Sequence, residues 1–307
     1  MKFEVTILGS GSATPTLARS ASGQYLNVLE RHLLIDCGEG TQVQLRKYKA
    51  KFQKINHIFI SHLHGDHFFG LVGFLSSQHL LGRTNPIHIY GPAPLKEVLT
   101  VTFKASQTYL NFEFVFHELD FKNRTLIMED RLIEVYSFPL SHRIECCGFI
   151  VQEKPKERGM DKTKIKEYEI PLAQIDGIKN GNDFTTKLGV VIKNSELTFN
   201  PISPKSYAYC SDTAFSQSVI EQVNGVDMLY HEATFASALE ARAKETFHST
   251  TKQAAEVAKR ANVGELVVGH FSARYTDLET FDEEIGAIFP AYTLAEDGMV
   301  LSVKSKI

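Results

Sequence analysis

Residues 59–70, FISHLHGDHFFG, decide how this chain is read. Within six positions His62, His64, Asp66 and His67 bring three imidazoles and a carboxylate to the end of the apolar, strand-like run HIFIS. Either a metal gathers these donors or a solvated loop happens to be rich in histidine. A single histidine is usually a satisfied core or surface residue. Three of them with an aspartate at the mouth of a buried strand point to a metal, because zinc takes imidazole nitrogen and carboxylate oxygen in sets of four. Gly65, between the donors, predicts a tight backbone turn that aims both sides at one point.

Three more donors stand where β-like runs stop: His142 after VYSFPLS, Asp212 after YAYCS and His270 after LVVG. Strand ends converge on one rim in layered α/β folds, so these residues can complete a two-metal set of five histidines and two carboxylates. Asp36, in LIDCGEGTQ, fits a residue that orients a ligand histidine. The order of elements is strands, then strand–helix alternation, a meander over residues 112–152, and alternation again. That order predicts the α/β class and an αββα sandwich, with two sheets face to face and helices outside. In TTKQAAEVAKRAN, Ala254, Val257, Ala258 and Ala261 share one helical face, and Thr250 with Gln253 forms a capping box at its start. His32, His57, His79, His88, His117 and His231 lie in or beside apolar runs and read as ordinary core or surface residues.

At 307 residues, 43% of them hydrophobic and 22% charged, the chain is long enough for one large domain with a substantial core. A net charge of −3 argues against coating nucleic acid by overall basicity and leaves a local basic patch open. The four cysteines make no CxxC pair and read as reduced thiols. No signal-peptide pattern opens the chain, and no run approaches about 18 apolar residues. The expectation is a soluble cytoplasmic protein without a membrane span. Residues 153–193 differ: polar, weakly periodic, with nine Lys/Arg against seven Asp/Glu. They read as a solvated surface insertion or, more sharply, as a protruding element that meets a polyanion.

SHLHGDH resembles the HxHxDH signature of the metallo-β-lactamase superfamily, and LIDCGEGTQ resembles the strand that precedes it. More narrowly, LGSGSATPTLARSASG, HEATF, HST and GHFSARY, in that order, resemble ribonuclease Z, a family of endonucleases that trim the 3′ trailer of precursor tRNA. The resemblance implies a single metallo-β-lactamase-fold domain over 1–307, with 153–193 as an inserted tRNA-binding arm. It also implies two zinc ions per subunit, one held by His62, His64 and His142, the other by Asp66, His67 and His270, with Asp212 bridging. The metals activate water for attack on the phosphodiester, leaving a 3′-hydroxyl on the tRNA and a 5′-phosphate on the trailer. Asp66 takes the proton of the attacking water and His248 supplies one to the leaving group. Glu232 either orients His248 or is an ordinary solvated carboxylate or cap. Ser272 and Arg274 hold phosphate, while Lys154, Lys156, Arg158, Lys162, Lys164 and Lys166 contact RNA. A homodimer is expected, one subunit's arm serving the other's site. The arm departs from the family in keeping only fragments of a glycine–proline-rich run. Two other readings stand beside this one: a hydrolase of a small phosphodiester or similar substrate on the same fold, and an RNA-binding protein with a degenerate metal site. The donors alone do not separate zinc from manganese or iron.

Overall fold

The computed structural model describes residues 2–306. The chain falls into two compact units, one made of 1–152 with 205–307 and the other of Glu153–Pro204.

The first unit is built on two seven-stranded sheets. One contains β1 (Phe3–Gly9), β2 (Gly23–Val28), β3 (Arg31–Ile35), β4 (Ile55–Phe59), β5 (Ile87–Gly91) and β6 (Phe114–Glu118). The other contains β7 (Thr125–Glu129), β8 (Ile133–Pro139), β9 (Cys147–Glu153), β10 (Ser206–Cys210), β11 (Met228–Glu232), β12 (Glu265–Gly269) and β13 (Tyr292–Leu294). The last strand, β14 (Val300–Ser302), returns to the first sheet beside β1. Each sheet has an antiparallel part and a parallel part. Strands β3 to β6 run parallel in the first, β10 to β13 in the second. The parallel parts carry strand ends that point the same way, and loops leaving such ends are where donors can meet.

The layer between the sheets is apolar, with Val5, Ile7 and Phe59 from one side and Phe149, Val151, Tyr207 and Tyr230 from the other. Helices Leu71–Leu80 and Pro94–Ala105 cover the outer face of the first sheet. Helix Thr251–Arg260 covers the second with Ala254, Ala255, Val257 and Ala258, all fully buried. This is the αββα sandwich. The meander expected over 112–152 needs correction. Its first run forms β6, which pairs parallel with β5 at the edge of the first sheet, and only β7 and β8 form the hairpin that opens the second. An edge strand shows the same apolar run as a meander strand, so the sequence pattern did not separate them.

The second unit has a small core of its own, Ile170, Ile178, Phe184, Ile192 and Leu197, packed with Met160, Ile165, Tyr168 and Ile175. Two short antiparallel pairings, Gly159–Met160 with Thr198–Phe199 and Phe184–Thr185 with Val191–Ile192, frame it. Asp161 caps helix Lys162–Glu167 by accepting from the Thr163 amide at 2.8 Å. The unit therefore runs past Lys193 to Pro204, because Leu197 completes its core.

The capping box of helix Thr251–Arg260 is made in full: the Gln253 amide donates to Thr250 Oγ1 at 3.4 Å and the Thr250 amide to Gln253 Oε1 at 3.0 Å. Thr250→Ala is expected to lower the unfolding free energy by about 1 kcal/mol, measured by urea denaturation at unchanged m-value.

Candidate metal centre

The motif loop begins where β4 ends. Asp36, one residue past the neighbouring β3, fixes it. Its carboxylate accepts from the Ser61 amide at 2.8 Å, from Ser61 Oγ at 3.0 Å and from His67 Nδ1 at 2.7 Å. Tyr209 of β10 donates to the same carboxylate at 2.7 Å. The loop then turns through a short helix, Gly65–Phe68. Gly65 has no positive φ there, contrary to the tight turn expected. A Cβ on it would lie 2.2 Å from the Phe69 ring, so what the glycine gives is clearance for packing. The close backbone approach is at Gly38, where a Cβ would lie 2.2 Å from the Asp66 carbonyl oxygen.

All seven expected ligands come together, in two sets. In the first, His64 Nδ1 lies 3.0 Å from His62 Nε2 and 3.1 Å from His142 Nε2. Asp212 Oδ2 lies 3.6 and 3.8 Å from those same Nε2 atoms. In the second, Asp66 Oδ2 lies 3.5 Å from His67 Nε2 and 3.4 Å from His270 Nε2. Asp212 Oδ1 lies 3.3 and 3.2 Å from that pair. One carboxylate thus presents an oxygen to each set.

The donor chemistry fits cations. His67 Nε2, His270 Nε2 and Asp212 Oδ1 are buried and make no hydrogen bond, an arrangement that is costly unless something positive meets them. The opposite ring nitrogens are engaged by the protein. His62 Nδ1 meets Ser61 Oγ at 3.0 Å, His142 Nδ1 donates to the Phe247 carbonyl at 3.0 Å, and His270 Nδ1 donates to Thr234 Oγ1 at 3.0 Å. Such bonds fix the tautomer and leave the lone pair facing inward. Strain gathers here as well: Ala13, Asp36, Phe247 and His270 all have positive φ, between 54° and 63°, each at a cost of about 1 kcal/mol or more. His270 turns back toward the other ligands through that conformation as β12 ends.

Glu232 is completely buried and serves as neither a solvated carboxylate nor a helix cap. It accepts from the amides of Thr213, Thr234 and Ser249, from Thr234 Oγ1, and from His248 Nδ1 at 2.9 Å. Burial disfavours a charge on His248, yet the Glu232 and Asp212 carboxylates outweigh it and raise the imidazole to about 9. A cavity of about 440 Å³ opens over His64, Asp66, Asp212, His248 and His270. Ser12, Thr14 and Arg143 line it too. The sequence reading missed Arg143, although it directly follows a ligand histidine. It missed Thr234 as well, because a threonine carries no metal-like pattern. Ser272 and Arg274 are not part of that lining. They pair with each other at 3.1 Å, and the guanidinium sits 5.0 Å over Phe235, whose ring faces His248 at 6.1 Å.

In the second unit, four of the six expected RNA contacts have partners, Lys154 among them. Lys156 pairs with Glu153 at 3.0 Å and Lys164 with Glu167 at 2.7 Å, while Arg158 donates to Thr198 and Asn200. Lys162 and Lys166 are exposed on helix Lys162–Glu167.

Fold and site together define a class, the metallo-β-lactamase-fold proteins with a metal-binding centre. The metallo-β-lactamase fold protein YhfI from Bacillus subtilis, 17% identical, shares the architecture with a TM-score of 0.70 over 98% of this chain and all of its own. A family model described as anti-Pycsar protein Apyc1 matches residues 3–287. Closer likenesses name the particular group. Ribonuclease Z of Parabacteroides distasonis is 48% identical over 98% of this chain and 99% of its own, and that of Cytophaga hutchinsonii 45% over 100% and 98%. Human tRNase Z, short form, is 32% identical with a TM-score of 0.73 over 98% and 99%. The chain belongs to the ribonuclease Z family.

His64→Ala removes the donor common to both short nitrogen separations of the first set. Metal content per chain, measured by atomic emission after dialysis, is expected to fall, and turnover to fall below detection with it. Wild-type activity in this variant would sink the ligand assignment.

Proposed function

We propose that this protein is a zinc-dependent endoribonuclease that removes the 3′ trailer from precursor tRNA, leaving a 3′-hydroxyl on the tRNA and a 5′-phosphate on the trailer. The observation that carries this reading is the Glu232–His248 pair set against two ligand sets joined by Asp212. His62, His64, His142 and Asp212 Oδ2 would hold one zinc ion, and Asp66, His67, His270 and Asp212 Oδ1 the other. Bound there, such a pair polarises the phosphodiester and acidifies water at neutral pH. Asp66, whose Oδ2 also accepts from the Ala13 amide at 2.7 Å, takes the proton of the attacking water. His248 gives a proton to the departing 3′ oxygen. Glu232 holds the Nδ1–H, so the Nε2 proton is the one it can give. Arg143 at the cavity wall and Arg274 above Phe235 supply charge for the phosphates on either side of the cut, Arg274 with Ser272 beside it.

The unit Glu153–Pro204 acts as the arm that grips tRNA. Lys162 and Lys166 offer themselves directly. Lys154, Lys156, Arg158 and Lys164 join once phosphate competes with their present partners. Work in the cytoplasm as a homodimer belongs to the same reading and rests on the family resemblance.

Metal-loaded protein incubated with a precursor tRNA bearing a 3′ trailer is expected to make a single cut beside the discriminator base. Intact RNA together with rapid hydrolysis of a small phosphodiester would move the substrate to the small-molecule reading. Replacing Glu153–Pro204 by a short linker should lower kcat/KM for precursor tRNA by more than about tenfold and weaken its salt dependence. Hydrolysis of a small phosphodiester should persist, and equal loss of both activities would count against a gripping arm.

A further inference from the structure

Three histidines that the sequence leaves as ordinary core or surface residues stand together on the first sheet. His57 is on β4, His88 on β5 and His117 on β6. His57 and His88 are register partners, and His117 partners Tyr90, two residues along β5 from His88. Side chains two apart on a strand share a face, so the three imidazoles and the Tyr90 phenol share one. Phe59 and Tyr90 belong to the apolar layer between the sheets, which places this face toward the second sheet.

The rings touch in sequence. Centroids are 5.0 Å apart for His57 and His88, 5.2 Å for His88 and His117, and 4.3 Å for Tyr90 and His117. They line a cavity of about 420 Å³ whose other wall includes Met128, Glu129 and Asp130. Elsewhere in this layer the same positions hold aliphatic and aromatic residues, so three half-buried imidazoles are out of place as packing alone.

His88 Nδ1 lies 2.9 Å from His117 Nε2. The ring-nitrogen separations within the first ligand set of the metal centre are 3.0 and 3.1 Å. Nitrogens at such a spacing can both reach one ion at the usual zinc–nitrogen length of about 2.1 Å. We propose that His88 and His117 form a second metal site, separate from the catalytic centre, for a transition-metal dication that favours imidazole, such as zinc. The cavity supplies water for its remaining positions. His57 backs the site by stacking on His88, while its Nδ1 lies 3.3 Å from the Tyr90 hydroxyl. The short contact between His88 and His117 contains one shared proton. On metal binding, the ring that donates it transfers that proton to its other nitrogen, so both lone pairs face the ion.

The site is distinct from the centre although both draw on β4: His57 lies within the strand, His62 beyond its end. Its metal would tie the edge strand β6 to β5.

The test is equilibrium dialysis of the full chain against Zn²⁺, with bound zinc counted per chain and precursor-tRNA cleavage followed in parallel. Wild type is expected to bind three equivalents, the third more weakly. His88→Gln and His117→Gln should each lose only the third and keep full cleavage. On zinc-loaded wild type, one equivalent of Cu²⁺ should show nitrogen hyperfine structure in its paramagnetic resonance spectrum that His117→Gln abolishes. Two equivalents in wild type, or a third that both variants retain, would overturn the proposal. The paired variants and a thermal melt of each separate lost binding from lost folding.

Discussion

The cluster of donors depends on one buried carboxylate that stands outside both donor sets. Asp36 is fully buried, takes a positive φ of 54°, and accepts hydrogen bonds from the start of the motif loop, from a ligand imidazole and from Tyr209 of the opposite sheet. A carboxylate in such a place is tolerated only when its lone pairs are filled, and here they are filled by the motif loop and by a strand of the other sheet. The strain at Asp36, the register of the loop after β4 and the spacing of the two sheets are thereby one constraint. Ser22 extends it, its Oγ lying 3.0 Å from the Tyr209 hydroxyl.

Around this pin the ligands are held by their far atoms. For four of the five imidazoles the inward-facing nitrogen is set by what the opposite nitrogen meets: Asp36 for His67, Ser61 for His62, the Phe247 carbonyl for His142 and Thr234 for His270. Thr234 joins two tasks, since its Oγ1 accepts from His270 Nδ1 and donates to Glu232, which also holds His248. His270 and His248 therefore share a rigid frame, and a shift in one imidazole is felt by the other.

Much of this was legible in the sequence, for physical reasons. Ligand residue types are few and cluster in spacing, so His62, His64, Asp66 and His67 stood out without any knowledge of the fold. The two-sheet sandwich followed from the order of runs. What stayed hidden depended on tertiary partners. A glutamate in HEATF has no local mark that tells an imidazole holder from a cap; only the approach of His248 and three amides settles it. β6 looked like a meander strand because apolar runs do not encode which sheet they join. The arm's core was invisible because Ile170, Ile178, Phe184, Ile192 and Leu197 are spaced by no single period. Its basic residues looked available because sequence does not reveal that Lys156 and Lys164 stand within 4 Å of Glu153 and Glu167.

The unit Glu153–Pro204 is inserted between two strands that pair directly, Gln152 of β9 lying opposite Ser206 of β10. Joining those strands across a floppy segment of this length would carry a loop-closure cost that grows with its logarithm. A segment that folds on its own core brings its two ends together beforehand. The insertion thus differs from a structureless loop of the same length, apart from anything its surface binds.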